Sequence, residues 1–413
     1  MNAADSAGLR VDGARVIADL RDLAKIGAYK TGVHRPSLTN EHVASLHWLA
    51  ERLPAAGLTA TIDGIGNVVG VSASTGRKLL AGSHLESQNH AGWLDGPLGV
   101  VYALEAARVI NGDASRGGAV EVVAWCDEEG HFGNFLGSRS YVGRLEEAEI
   151  DAARDRTSGR SMREALAAAG LAGRPRVRSE AGRHVAYLEA HIEQGDWLET
   201  NKLKIGTVTS IVGIWQFRLV FHGVQNHAGT TRMAIRKDAG LAAARMCLAL
   251  DERFPKACGP RTVWTTGRIT LDPGAPSIIP GKAEMLFQIR DDDIATLERL
   301  EALLRETAAE HEQRGPCRIE VERLRASMPA VMAPDAMAAI DAAAVAHAGG
   351  RATRMPSGAG HDAQMLSLVM PAGMLFVPSI GGISHHWTED TSEEDIVTGA
   401  RVFVAACARL LAT

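Results

Sequence analysis

The apolar positions of the chain follow two periods. Val16, Ile17, Leu20, Leu23 and Ile26 recur at helical spacing, and Val43, Leu46, Leu49 and Leu53 do so after a start near Asn40, with Gly57 as the stop. Short apolar runs follow at 67–72, 78–81 and 120–126, and a helix is predicted over about 98–110 between the last two. Strand and helix alternate here, which predicts a largely parallel α/β sheet. From Lys204 the texture changes to long β-like runs at 206–222, 262–272 and 282–290, with helices predicted at about 236–252 and 294–312. With 317–324 as the last strand, the order is βαββαβ, a small ferredoxin-like α+β unit placed at 213–329. After Pro329 the α/β texture returns, with a strand at 374–377 and a closing amphipathic helix. The expectation is an α+β domain at 213–329 inserted into a discontinuous α/β domain at 1–212 and 330–413. Ala-rich 152–172 reads as a surface helix.

Composition narrows the class. The 413 residues suggest two or three folding units. A hydrophobic share of 46%, a charged share of 23% and a mean hydropathy of -0.04 are those of a globular chain that buries a substantial core. The net charge of -5 provides no field to gather phosphate backbones or anionic lipid, so neither nucleic acid nor a membrane is expected as a partner. Five scattered cysteines without a C-x-x-C pair argue against a disulfide framework or a thiolate zinc site and for a reducing cytoplasm. No secretion signal is expected at the N-terminus, and no stretch of eighteen apolar residues lacks a charge.

The candidate chemistry sits just after predicted strands. KLLAGSHLES places His84 at one strand end, and EVVAWCDEEGHFG places Asp127, Glu128 and Glu129 at another, the edge where open α/β sheets bind ligands. A buried strand running into three acids is costly unless cations or hydrogen bonds compensate them, although DEEG alone reads equally as a solvated turn. GWLDG with Asp95, YLEAHIEQG with His191 and GGISHHW with His385 add further carboxylate and imidazole, the ligand types of zinc, manganese and similar ions.

In these segments the chain resembles the bacterial N-carbamoyl-L-amino acid hydrolases, with allantoate amidohydrolases and β-ureidopropionases, in the clan of two-metal aminoacylases and peptidases. The motifs that carry the resemblance run in order from about Gly32 to the end: GVHRPSLTNEH, GSHLES, AGWLDGPLGV, DEEGHFGNFLGSR, LEAHIEQG, NHAGTTRM, IIPG with a following QIR, SGAGHD and GISHH. The resemblance implies a di-metal aminopeptidase-like catalytic domain with an inserted lid domain that also dimerises. It further implies two divalent ions per subunit, zinc first, with manganese, cobalt or nickel as options. Asp95 would bridge them, with His84 and His191 on one ion and Glu129 and His385 on the other, at the ~3.5–4 Å spacing that clamps a shared water or hydroxide. Glu128 would be the general base, and His227 would donate to the oxyanion across a dimer interface. Gln194 and His361 would bond the ureido or amide group, Arg290 would pair with the substrate carboxylate, and Ser277 and Gly360 fall at the other substrate-binding positions.

The departures from the family pattern lie around the chemistry. Glu86 replaces an Asp that orients the first histidine, Ser277 replaces an Asn that grips the substrate carboxylate, Arg232 replaces a Pro, and His386-Trp387 replace Asn-Pro. A longer Glu86 is expected to keep the orienting role. Trp387 either meets a bulky substrate group or packs under the closing helix. The implied reaction is hydrolysis of an N-carbamoyl L-amino acid or related ureido acid, a small molecule with a free carboxylate, by a cytoplasmic homodimer. An N-acyl amino acid amidohydrolase and an allantoate amidohydrolase are the enzymatic alternatives. A non-catalytic binding protein of the same fold ranks behind them, because every ligand and the base are present.

Overall fold

The computed structural model describes residues 9–113 and 117–412. The chain divides into two compact units, one formed by residues up to Thr209 with Val331–Ser357 and His361 onwards, the other by Ser210–Ala330 with Gly358–Gly360.

The first unit is built on a large sheet. Its order runs Ile205–Ile211, Ala372–Val377, Tyr187–Ile192, Arg77–His84, Gly118–Trp125, Val68–Ser72, Leu58–Ile62, and Ala352–Ser357 pairs with Ile205–Ile211. The four central strands from Ala372–Val377 to Gly118–Trp125 are parallel, and they are buried nearly end to end, as strands covered on both faces must be. The flanks are antiparallel, so the sheet is mixed rather than largely parallel. One cause is the Asp63 carboxylate, which accepts from the backbone N–H groups of Ile65, Gly66 and Asn67 at 3.0, 3.1 and 2.9 Å and folds Leu58–Ile62 back on Val68–Ser72. Helices Pro97–Asn111 and Glu393–Ala412 are apolar over most of their surface and sit in the main core.

The expected surface helix over 152–172 is two short helices, Glu147–Ala152 and Met162–Ala168. The Asp155 carboxylate accepts from the N–H groups of Thr157 and Ser158 at 3.1 and 2.6 Å, and Ser161 with Glu164 forms a capping box that restarts the helix. Side-chain bonds to backbone outweigh the alanine-rich propensity at that point. The long run at 206–222 is likewise two strands, Ile205–Ile211 and Gly213–His222, which belong to different sheets.

The second unit is a four-stranded antiparallel sheet in the order Val263–Asp272, Lys282–Asp291, Gly213–His222, Arg318–Ala326. Helices Ala239–Arg253 and Ile294–Arg314 complete a βαββαβ succession. Alternate residues Ala283, Met285, Phe287 and Ile289 point into a core shared with Ala243, Met246, Leu297 and Leu300 of the helices.

One buried charge holds the main sheet together. Glu121, in the middle of Gly118–Trp125, accepts from the Ser72 N–H at 2.9 Å, from Arg183 Nε and Nη2 at 3.0 and 2.8 Å, and lies 2.9 Å from His184 Nε2. Burial works against its charge, but these partners lower its pKa to about 2. A depressed folded-state pKa contributes stability that is complete above the unfolded value near 4.5 and is lost as pH falls toward 2. Glu121→Ala is therefore expected to cost about 3–5 kcal/mol at pH 7, with the gap to wild type in urea midpoint narrowing between pH 4.5 and pH 3. A gap of the same size at both pH values would show that the loss comes from packing and not from the charge.

Among the described residues no helix is long and apolar enough to cross a membrane, and all five cysteines are free.

Candidate metal centre

Three of the five expected ligands stand at or just after strand ends on one edge of the parallel sheet, and a fourth lies in a loop beyond that edge. His84 closes Arg77–His84, Glu129 follows Gly118–Trp125, His191 lies in Tyr187–Ile192, and His385 is in the loop after Ala372–Val377. Parallel strands deliver their carboxyl ends together, so residues far apart in sequence converge. Asp95 enters from just before helix Pro97–Asn111. Its neighbour Gly96 has φ 85°, and a Cβ there would lie 2.5 Å from the His84 ring, so only glycine lets Asp95 approach.

The five side chains form two groups that share Asp95: His84, Asp95 and His191, and Asp95, Glu129 and His385, with one potential ligand atom per residue all within 4.8 Å in each group. Asp95 divides its oxygens between them. Oδ1 lies 3.5 Å from His84 Nε2 and 3.0 Å from His191 Nε2, and Oδ2 lies 3.3 Å from His385 Nε2. Glu129 Oε2 is 3.7 Å from His385 Nε2.

A divalent cation fits both groups. The Nδ1 atoms of His84 and His191 face the carbonyls of Glu86 and Ile192 at 3.1 and 2.9 Å, which fixes the proton on Nδ1 and turns the Nε2 lone pairs toward Asp95. Lone pairs and carboxylate oxygens then face each other, an arrangement that a cation between them resolves. His84 Nε2 and Glu129 Oε1 are buried without a hydrogen-bond partner. Burial and the neighbouring Asp95 raise the pKa of Glu129. Burial opposes a charge on His84, yet Asp95, Glu128 and Glu86 hold its pKa well above the ordinary value. Against burial, the same carboxylates raise the pKa of His191 and of His385, so in this pocket protons stand where bound cations would supply the positive charge.

Glu128 Oε2 lies 3.8 Å from His84 Nε2, and its carboxyl is driven well above the usual range by burial and then by Glu129, Asp362 and Asp95, with His84 opposing. The adjacent Asp127 has φ 63°, a left-handed conformation that separates the directions of the acids in the DEEG turn. Glu86 does not orient His84 as expected: its carboxylate is 3.9 Å from the ring Nδ1, and its backbone carbonyl takes that role. The extra methylene carries the carboxylate to the N–H groups of Glu128 and Glu129, at 2.5 and 3.4 Å. Buried Arg35 supplies the compensating charge.

The other expected residues are placed as follows. Gln194 donates from Nε2 to Asp95 Oδ2 at 2.9 Å, which leaves Oε1 as a buried acceptor without a partner. His361 is buried, stands edge-on to His191 at 4.6 Å between ring centroids, and lies 2.9 Å from Ser357 Oγ through Nε2; burial keeps it neutral. In the second unit, the ladder that pairs Asn226–His227 with Ile278–Ile279 puts Ser277 beside the His227 turn. His227 is exposed, and its Nδ1 accepts from the N–H groups of Gly229 and Thr230 at 3.0 and 3.2 Å, so the ring proton sits on Nε2. Arg290 donates to Gln288 Oε1 at 2.7 Å and to the carbonyl of Gly358, two residues before Gly360, at 2.8 Å.

Trp387 packs, but not under the closing helix. Lys30 Nζ lies 3.5 Å over its ring, His386 lies 3.9 Å away, Tyr29 meets it edge-on at 5.8 Å, and its carbonyl accepts from Thr31 Oγ1 at 2.5 Å. These contacts engage part of the indole, which stays half-buried.

Three polar residues escaped the sequence reading. Gln88 donates to Glu129 Oε2 at 2.6 Å, Ser384 bonds Asp95 Oδ2 at 3.2 Å, and Glu389 caps the Asp95 loop. Ser384 lies inside GISHH, and Gln88 and Glu389 stand just after GSHLES and GGISHHW, a nearness in sequence that was the one signal pointing to them.

Residues 76–409 match the model of Peptidase family M20/M25/M40. An N-carbamoyl-L-amino-acid amidohydrolase of Paenarthrobacter aurescens is 35% identical over 94% of this chain and 95% of its own. A probable allantoate deiminase of Oryza sativa subsp. japonica is 31% identical over 91% and 84%. Among solved structures, an amidase of the hydantoinase/carbamoylase family from Burkholderia phymatum superposes with a TM-score of 0.88 at 45% identity, covering 98% of both chains. The match along nearly the whole length, on a fold that gathers these residues at one sheet edge, means that the chain belongs to the M20/M25/M40 peptidase family and is a hydrolase of carbon–nitrogen bonds other than peptide bonds.

Proposed function

We propose that this enzyme hydrolyses the ureido bond of an N-carbamoyl L-amino acid or a related ureido acid, releasing the amino acid, carbon dioxide and ammonia. The observation that carries this reading is the pair of side-chain groups sharing Asp95 in a chain similar over nearly its full length to an N-carbamoyl-L-amino-acid amidohydrolase. His84, Asp95 and His191 would hold one divalent ion and Asp95, Glu129 and His385 a second; zinc suits this nitrogen and oxygen set best, and manganese, cobalt and nickel also accept it. Bound ions supply Lewis-acid activation of water and carbonyl.

The chain's own groups do the rest. Glu128 takes the proton of the attacking water and returns it to the leaving nitrogen, the role that a buried, raised carboxyl suits. His227 offers its Nε2 proton to the carbonyl oxygen as negative charge develops there. The unpaired Gln194 Oε1 is an acceptor of the kind a ureido N–H needs, and the planar fork of Arg290, with Ser277 and Gly360, receives the substrate carboxylate. The allantoate deiminase among the relatives makes allantoate the second ureido candidate. Ammonia release separates the readings: incubation with N-carbamoyl-L-amino acids, allantoate and N-acetyl-L-amino acids should give ammonia from the ureido compounds alone. Turnover of the acetyl series, with free acetate and no ammonia from any carbamoyl compound, would replace this reading with an acylase.

The second unit is assigned as a dimerisation and lid domain. Its edge strand Val263–Asp272 exposes Val263, Ile269 and Leu271, and the neighbouring helix exposes Leu241 and Leu248, an apolar margin that a second copy would cover. If His227 serves the site of the other subunit, mixing inactive Glu128→Gln and His227→Ala proteins should restore about half of wild-type activity per heterodimer, or about a quarter in a fully exchanged equal mixture, because one site of each heterodimer regains both native groups. No recovery after confirmed subunit exchange would place His227 in its own subunit's site. The five free cysteines suit a cytoplasmic enzyme.

A further inference from the structure

Among the five expected ligands, His385 has the least support of its own. Its side chain is 49% exposed, where those of His84, Asp95, Glu129 and His191 are at most 5% exposed. Its backbone has φ 56°, a left-handed conformation that a non-glycine residue keeps only where its surroundings enforce it. It rides on a loop and not on a strand end.

Glu389, four residues on, is the group that ties this loop down. It is buried, and Oε1 accepts from the N–H groups of Leu94 and Asp95 at 3.3 and 3.1 Å. Oε2 accepts from Ser384 Oγ at 3.0 Å, the hydroxyl next to His385 that also reaches Asp95 Oδ2. Its own N–H donates to the His386 carbonyl at 3.0 Å and closes the turn. One carboxylate thus clasps the loop of the shared ligand with one oxygen and the loop of His385 with the other. Gly92 makes room for it: a Cβ there would lie 1.9 Å from the Glu389 carboxyl carbon.

We propose that Glu389, admitted by Gly92, is a positioning residue that sets His385 against Asp95 and so builds the Asp95–Glu129–His385 group. The proposal rests on the metal-centre reading above. It predicts an unequal effect: Glu389 touches the shared Asp95 and the loop of His385, whereas His84 and His191 stand on strands that it does not touch, so the Asp95–Glu129–His385 group loses more.

The test is zinc binding to the full-length protein. Chelator-stripped wild type, Glu389→Ala, Glu389→Asp, Glu389→Gln and Gly92→Ala are titrated with zinc chloride by calorimetry, and the metal-free Tm of each is recorded. Wild type should bind two ions. Glu389→Ala, Glu389→Asp (one methylene short) and Gly92→Ala (carboxylate present but excluded) should each bind one ion about 10- to 100-fold more weakly and the other with a clearly smaller loss, passed on through Asp95. Glu389→Gln, which keeps an acceptor for Leu94 and Asp95 and can donate to Ser384, should bind both as wild type does. Unchanged binding of both ions in the Ala, Asp and Gly92 variants would overturn the proposal. So would equal weakening of both ions in proportion to a fall in metal-free Tm, the pattern of a merely structural residue. A wild type that takes up no zinc would instead overturn the metal-centre reading.

Discussion

Glu128→Gln is expected to keep its bound metal and lose about 10²–10⁴-fold in kcat. The amide has the size and shape of the carboxyl, so the DEEG turn held by the Glu86 carboxylate through the Glu128 and Glu129 N–H groups should survive. What the amide lacks is an acceptor that can carry the proton from water to the leaving nitrogen. The surroundings of Glu128 suit it to that proton transfer, since it is nearly buried, close to His84, and pushed up in pKa by burial and by the carboxylates around it. Metal content by elemental analysis and kcat on the best ureido substrate check it together. Full metal occupancy with kcat within a few-fold of wild type would remove Glu128 from the proton transfer.

Asp95→Ala is expected to be more severe and of a different kind, with loss of the metal itself and activity at background. Asp95 alone belongs to both groups, with Oδ1 toward His84 and His191 and Oδ2 toward His385. Deleting it leaves each group a pair, too few protein ligands to retain a structural or catalytic ion at ordinary affinity. Asp95→Asn sharpens the point, since its single oxygen serves one group only and should retain at most one ion. Two ions in Asp95→Ala would show that Asp95 does not bridge. The same substitution frees Gln194 Nε2 and removes one contact of Ser384, so the loop carrying His385 should loosen as well.

Much of the molecule was legible in the chain before any coordinates. Amphipathic spacing reports which face of an element is buried, and it located the helices that became Asn40–Arg52, Pro97–Asn111 and Ile294–Arg314. Strand-end position pointed to His84, Glu128 and Glu129, and motifs shared with a known family added Asp95, His191 and His385 and the roles of all six. Local patterns carry no record of long-range approach. The hydrogen bond from Asp95 to Glu389 spans 294 residues, and that from Gln194 to Asp95 spans 99, so neither partner could be assigned by spacing. The direction of the Glu86 carboxylate depended on one methylene, and the split of 152–172 on the carboxylate of Asp155. Trp387 was claimed by the turn of a hairpin that reaches it through Thr31, 356 residues earlier in the chain. Periodicity encodes burial along one element, whereas which polar group meets which is settled when parallel strand ends from distant segments are packed side by side.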